Sequence, residues 1–158
     1  MQTITPFLWF DGQAEEAMNH YVSIFRNSKV KSVSRYGDAG PGPKGSVMTA
    51  SFELDGQSFT ALNGGPQYKF TEAVSFVVSC KDQAEVDHYW DALSAGGEPG
   101  PCGWLKDKYG LSWQIVPTEM ITLLMDKDPA KSQRTMGAMM QMKKIDLAKL
   151  RAAHAGQA

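Results

Sequence analysis

Three histidines, His20, His88 and His154, and two cysteines, Cys80 and Cys102, are the side chains of this chain best suited to nucleophilic or metal chemistry. A thiol beside an imidazole would support acyl transfer, and clustered imidazoles and thiolates would hold a divalent ion. The spacing supports neither. His20 and His88 each precede a tyrosine within a stretch of helical periodicity, where a helix-face or half-buried role is the plain reading. His154 falls in the C-terminal tail, and Cys102 lies in a Gly/Pro-rich segment with no base assigned to it. The two cysteines form neither a disulfide framework nor a metal-ligand spacing. Glu53 and Asp107 belong to turn regions, so a carboxylate pair for acid–base work is missing as well.

The elements around these residues repeat. Gly56, Ser58, Phe59 and Leu62 are echoed by Gly110, Ser112, Trp113 and Val116, fifty-four positions on. Upstream, His20-Tyr21 and Phe25 return as His88-Tyr89 and Leu93, sixty-eight positions on. A helix and a strand recurring in that order imply one small βα-type unit used twice, and two such units can curl into a cup that binds a small molecule.

The first unit reads as a strand at 7–10, then a helix capped by Asp11 or Gly12 with Ala14, Ala17, Met18, Tyr21 and Phe25 on its buried stripe. Strands follow near 29–36, 46–53 and 57–63, the last two joined by an Asp55-Gly56 hairpin turn. Between the first two of these, residues 37–45 hold four glycines and two prolines and form a loop, either a lid or a long connection. The second unit has a strand at 73–80 and a helix capped by Asp82 with Glu85 three residues on. Val86, Tyr89, Trp90 and Leu93 make that helix's buried stripe, and strands at 104–106 and 111–116 complete the unit. The tail reads as helices, with Asp128-Pro129 opening one, Met136, Met139 and Met140 on one face that packs on the chain's own sheet or on a partner subunit, and Asp146 capping the last beside an Ile145–Leu150 staple.

At 158 residues, 42% apolar, the chain can bury a real core as a single domain. Sixteen basic and seventeen acidic residues leave no nucleic-acid footprint, and no apolar run approaches a membrane span. The N-terminal residues lack a basic and apolar signal pattern, and the unpaired cysteines suit the cytoplasm.

The segments Leu8-Trp9-Phe10-Asp11-Gly12-Gln13-Ala14-Glu15-Glu16-Ala17, Leu62-Asn63-Gly64-Gly65-Pro66, Gly103-Trp104-Leu105-Lys106-Asp107, Gly110 to Pro117 and Met142-Lys143-Lys144-Ile145-Asp146 resemble the PhnB-like family of the vicinal oxygen chelate superfamily. That superfamily also holds glyoxalase I, bleomycin-resistance proteins and extradiol dioxygenases. The resemblance implies an α+β fold in which paired βαβββ modules form a cupped mixed β-sheet half-barrel, plus C-terminal helices. The glyoxalase-like domain would span 1–120, with modules at about 1–66 and 73–118, and the helical appendage 126–158, part of the same domain or of a dimer interface. The family is often labelled demethylubiquinone methyltransferase. The Gly64-Gly65 pair does not support methyl transfer, because it follows an antiparallel-type strand and enters a loop, where a donor-binding Gly-rich turn would enter a helix.

In metal-using relatives, four His/Glu-type side chains from the first and last strand of each module hold an ion that polarises the substrate. The matching positions here are Pro6-Phe7, Thr60, Ser75 and Gln114, none of them a histidine or carboxylate. Hydroxyls and a neutral amide are poor ligands for such ions, so no metal and no cofactor is expected. Strand alternation then places Phe7, Trp9, Thr60, Leu62, Ser75, Val77, Ser112, Gln114 and Val116 toward the cup, with Trp104 and Lys106 joining from the second module. That lining suits a flat or apolar ligand with a carboxylate or phosphonate near Lys106. The expected function is a metal-free small-molecule-binding protein, with the ligand in the cup between the modules, acting as a homodimer without nucleic-acid or membrane partners. The alternatives are a metal-independent isomerase or lyase using Lys106 for proton transfer, and an interaction module whose cup is solid core.

Overall fold

The computed structural model describes residues 2–157. Two compact units divide the chain, Met1–Phe70 and Thr71–Ala158. In the first, β1 (Phe7–Phe10), α1 (Ala14–Ile24), β2 (Lys29–Arg35), β3 (Val47–Leu54) and β4 (Gln57–Asn63) form a sheet of order β1-β4-β3-β2. In the second, β5 (Ser75–Cys80), α2 (Gln83–Ser94), β6 (Glu98–Pro99), β7 (Trp104–Lys106) and β8 (Ser112–Pro117) form a sheet of order β5-β8-β7-β6. Each first strand runs parallel to the last strand of its unit, and the other pairs are antiparallel. The sequence echo is therefore a repeat of topology, one βαβββ module built twice.

Each module buries one sheet face under its helix. Ala14, Ala17, Met18 and Tyr21 of α1 are buried with Leu8, Phe10, Phe52 and Phe59 of the sheet. Residue 24 ends α1, so Ile24 is its last buried residue, and Phe25 is the C-cap rather than part of the stripe. The helix start also departs from local capping rules. Gln13 occupies the cap with no side-chain bond, and the Ala14 amide donates instead to Asn63 Oδ1 at 2.8 Å, from the end of β4. A partner 49 positions away lies beyond any local rule, which is why Asp11 and Gly12 looked like the caps. In α2 the expected cap forms: Asp82 accepts from the Glu85 amide at 2.9 Å, and Glu85 reaches back to the Lys81 amide at 2.8 Å. Val86, Tyr89, Trp90 and Leu93 then pack over Cys80, Leu105, Trp113 and Ile115.

The tail adds α3 (Thr118–Leu124), α4 (Pro129–Met139) and α5 (Leu147–His154) to the second unit. Sequence reading missed α3, which starts straight after β8 at Pro117 with no capping side chain. Met120, Ile145, Leu147 and Leu150 close on Val116, so Val116 lies in a core formed with the tail and does not line an open face. Ile145 and Leu150 are fully buried, as the staple predicts. The methionine stripe is divided. Met139 packs on this core, whereas Met136 and Met140 are exposed and Thr135 is the buried residue of α4. Gln83 fastens the tail to its module, donating to Ile145 O at 2.9 Å and accepting from the Leu147 amide at 2.8 Å. Among the described residues, no helix is long and apolar enough to cross a membrane.

Candidate functional site

Strand register assigns the face that each helix leaves uncovered. In the first module Phe7 pairs with Thr60 and Trp9 with Leu62, placing these four side chains in two adjoining rows opposite α1. Phe7 is 60% exposed there, and Thr60 Oγ1 lies 3.5 Å from Ser51 Oγ on the neighbouring strand. In the second module one row runs Ser75, Ser112, Lys106 across β5, β8 and β7, and the next runs Val77, Gln114, Trp104. Val77 is 56% exposed. Gln114 donates from Nε2 to Ser75 Oγ at 2.9 Å, tying the two rows together. The expected site residues thus fall into one set of four and one set of five, each set sharing a sheet face.

Several cavities touch these modules. On the second, a cavity of about 520 Å³ is walled by Trp104, Leu105, Lys106 and the 98–102 segment, with Ser112 and Glu72 completing it. Of the expected site residues it gathers Trp104 and Lys106. Thr60 lines a separate cavity of about 460 Å³ with Lys31 and Glu53. A third, of about 700 Å³, lies between Asp11, Glu15 and Glu16, the Gly64-Gly65 turn and residues Pro41-Gly42-Pro43 of the long loop.

The charge on Lys106 is not free. Its ammonium forms an ion pair with Glu72, which raises its pKa above the ordinary lysine value through the hydrogen bond and then the charge. The same hydrogen bond holds Glu72 below the usual carboxylate range. Glu98 stands opposite Lys106 on β6, so the cavity carries two carboxylates to one ammonium. Sequence reading missed Glu72, which is 34 positions from Lys106 in an irregular segment, and Glu98, whose strand has two residues, one of them proline. It also gave Cys102 no place, yet Cys102 lines this cavity with its sulfur 3.7 Å from Met140 Sδ.

The donor set does not fit a divalent ion. Phe7 has no ligating atom, Thr60 and Ser75 offer neutral hydroxyls, and Gln114 offers a neutral amide oxygen, all poor ligands for such an ion. The pairing register places Val77, rather than Ser75, in the position equivalent to Phe7, since Phe7 pairs with Thr60 and Val77 with Gln114. Among the described residues, no three His, Cys, Asp or Glu side chains converge.

The Gly64-Gly65 turn has a structural role. The Trp9 indole donates to Gly65 O at 2.8 Å and lies against Gly64, where an added Cβ would come within 2.4 Å of the ring. Gly64→Ala is expected to cost about 1–3 kcal/mol by overpacking, read as a lower urea midpoint with quenching of Trp9 altered. The two thiols should also separate cleanly. Cys80 is fully buried under α2, and burial, helped by Glu85 and Asp82, pushes its thiol up to about 12. At pH 8 a thiol reagent should label one cysteine per native chain, Cys102, and a second only after unfolding.

Two βαβββ modules of identical strand order, each with a helix on one face and an open opposite face, define the vicinal oxygen chelate fold. Residues 2–116 match the family model described as 3-demethylubiquinone-9 3-methyltransferase, and the chain belongs to that family, the PhnB-like proteins. It is 41% identical to a putative 3-demethylubiquinone-9 3-methyltransferase, PhnB protein, from Bacillus cereus, with a TM-score of 0.65 over 73% of this chain and 99% of that one. Protein PA1353 from Pseudomonas aeruginosa is 20% identical, with a TM-score of 0.62 over 74% of this chain and 98% of that one. The fosfomycin resistance protein FosX from Listeria monocytogenes is 14% identical, with a TM-score of 0.51 over 73% and 90%, and shares the fold. None of the curated proteins matches the chain.

Proposed function

We propose that this protein binds a small, flat organic molecule against the helix-free faces of its sheets, without a metal ion. The observation that carries this reading is the lining itself. Where chelating side chains would be needed, the rows hold Phe7 and Thr60 in the first module and Ser75, Val77 and Gln114 in the second, and Trp104 walls a cavity of about 520 Å³ in the second module. Apolar and aromatic walls with a few fixed hydrogen-bonding groups suit recognition of such a ligand. A proton-transferring isomerase or lyase is the weaker reading, because Glu72 keeps Lys106 protonated and a general base must give up its proton. Methyl transfer, which the family's name suggests, finds no donor cradle at Gly64-Gly65, since that turn seats Trp9.

Free thiols at Cys80 and Cys102 support a cytoplasmic setting, and the family resemblance supports a homodimer, for which light scattering at micromolar concentration should give twice the monomer mass. The function is tested by a thermal-shift screen of aromatic metabolites and antibiotics, run with EDTA and with added divalent ions. Stabilisation by an organic compound that persists in EDTA is the expected outcome. Stabilisation that requires a divalent ion would contradict the metal-free reading.

A further inference from the structure

Among the described residues of the second module, the Ser112 hydroxyl is the buried side-chain group that lacks a partner. Ser112 is 1% exposed, and its Oγ is buried with no hydrogen-bond partner. A buried hydroxyl left without a partner costs free energy that a ligand can return. Its place in the sheet is defined: it stands between Ser75 on β5 and Lys106 on β7, and it lines the cavity walled by Trp104. Ser75 Oγ already has a partner in Gln114, whereas Ser112 Oγ is buried with none, so Ser112 has the most to gain from a guest.

Charge narrows the guest further. The Lys106 ammonium is paired with Glu72, and Glu98 faces it from β6. An acid entering here would meet two carboxylates and an ammonium already engaged. This is the opposite of the sequence-based expectation that Lys106 would hold a carboxylate or phosphonate. We propose that this cavity takes a non-acidic aromatic compound, its ring against Trp104 and one hydroxyl, carbonyl or amide group hydrogen-bonded to Ser112. This rests on the small-molecule-binding reading and names the ligand class and the anchoring residue. The hydroxyl is buried, so a guest reaches it only when neighbouring side chains part; Lys106, its cross-strand neighbour, is 39% exposed, and an exposed ion pair such as Lys106–Glu72 costs little to open.

Three matched probes test this on the intact chain by equilibrium dialysis, with protection of Cys102 from a thiol reagent as the site marker: 2-naphthalenemethanol, 2-naphthoate and naphthalene. The alcohol should bind tightest, about three- to tenfold better than the hydrocarbon, the range of one net hydrogen bond. The carboxylate should bind weakest, and the alcohol should slow labelling of Cys102. In Ser112→Ala the alcohol should lose its advantage while naphthalene binds unchanged, an outcome a misfolded variant could not give. Glu72→Gln together with Glu98→Gln should raise the affinity for naphthoate. Tightest binding by naphthoate in the native protein, or an alcohol preference that survives Ser112→Ala, would overturn the assignment while leaving small-molecule binding intact. Failure of all three probes to bind or to protect Cys102 would overturn both.

Discussion

Replacement of Asp107 by alanine should cost about 3–5 kcal/mol, because it strands buried donors, each of which costs roughly 1–3 kcal/mol when left unpaired. Asp107 is 2% exposed and accepts from the Tyr109 amide at 2.9 Å, the Leu111 amide at 3.0 Å and the Trp113 indole at 2.9 Å. Its own backbone closes the same turn, donating to Leu111 O and accepting from Gly110 N. The carboxylate therefore fixes the β7–β8 connection that sets Lys106 opposite Ser112. Asp107→Asn keeps one acceptor oxygen and turns an amide against the remaining donors, so its loss should fall between wild type and Asp107→Ala. Urea denaturation followed at Trp113 measures both. Near-wild-type stability of Asp107→Ala would show that the turn holds without its carboxylate.

The second large effect is expected at Gly97, between α2 and β6. A Cβ there would meet the Lys106 carbonyl oxygen at 2.1 Å and the Asp107 carbonyl carbon at 2.7 Å. Both obstacles are backbone atoms, which cannot rotate away as a side chain can. Gly97→Ala should therefore cost at least the upper end of the roughly 1–3 kcal/mol typical of overpacking, and it should pry β6 from β7. Glu98 pairs with Lys106 across that ladder, so the two-residue β6 would lose its alignment and with it the wall of the cavity. Hydrogen exchange should show the Lys106 segment opening in this variant. Unchanged protection there would contradict the close approach.

What could be read in advance follows the range of the interactions involved. Strand alternation is local, so the division of β1 into Leu8 and Phe10 beneath the helix and Phe7 and Trp9 on the open face was legible. The same holds for Phe76, Val78 and Cys80 against Ser75 and Val77, and for the Asp82 and Asp146 caps. The repeat was legible because Gly56 and Gly110 mark corresponding turns, and the shared strand order bears that out. Long-range partners were not legible. Asn63 capping α1, Gln83 clasping the tail and Glu72 engaging Lys106 each join residues more than thirty positions apart with no motif between them. The methionine stripe was legible only as a shared side: periodicity groups Met136, Met139 and Met140 but does not say that Met139 alone of the three meets the chain's own core.

These contacts alter the picture of the open face more than that of the fold. Val116 is taken into the tail's core, Lys106 is held by a carboxylate, and Ser112 emerges as the unpartnered group. The cavity beside Trp104 is left with one ammonium countered by Glu72 and Glu98, and its uncharged hydrogen-bonding groups are few and individually assigned.

Calorimetric titration of an aromatic ligand into the protein, before and after exhaustive dialysis against a chelator, measures the central claim most directly. An organic guest held by Trp104 and neutral polar groups should keep its Kd through chelation. Affinity that vanishes with the chelator and returns with zinc or manganese would show that an ion, and not these side chains, does the binding.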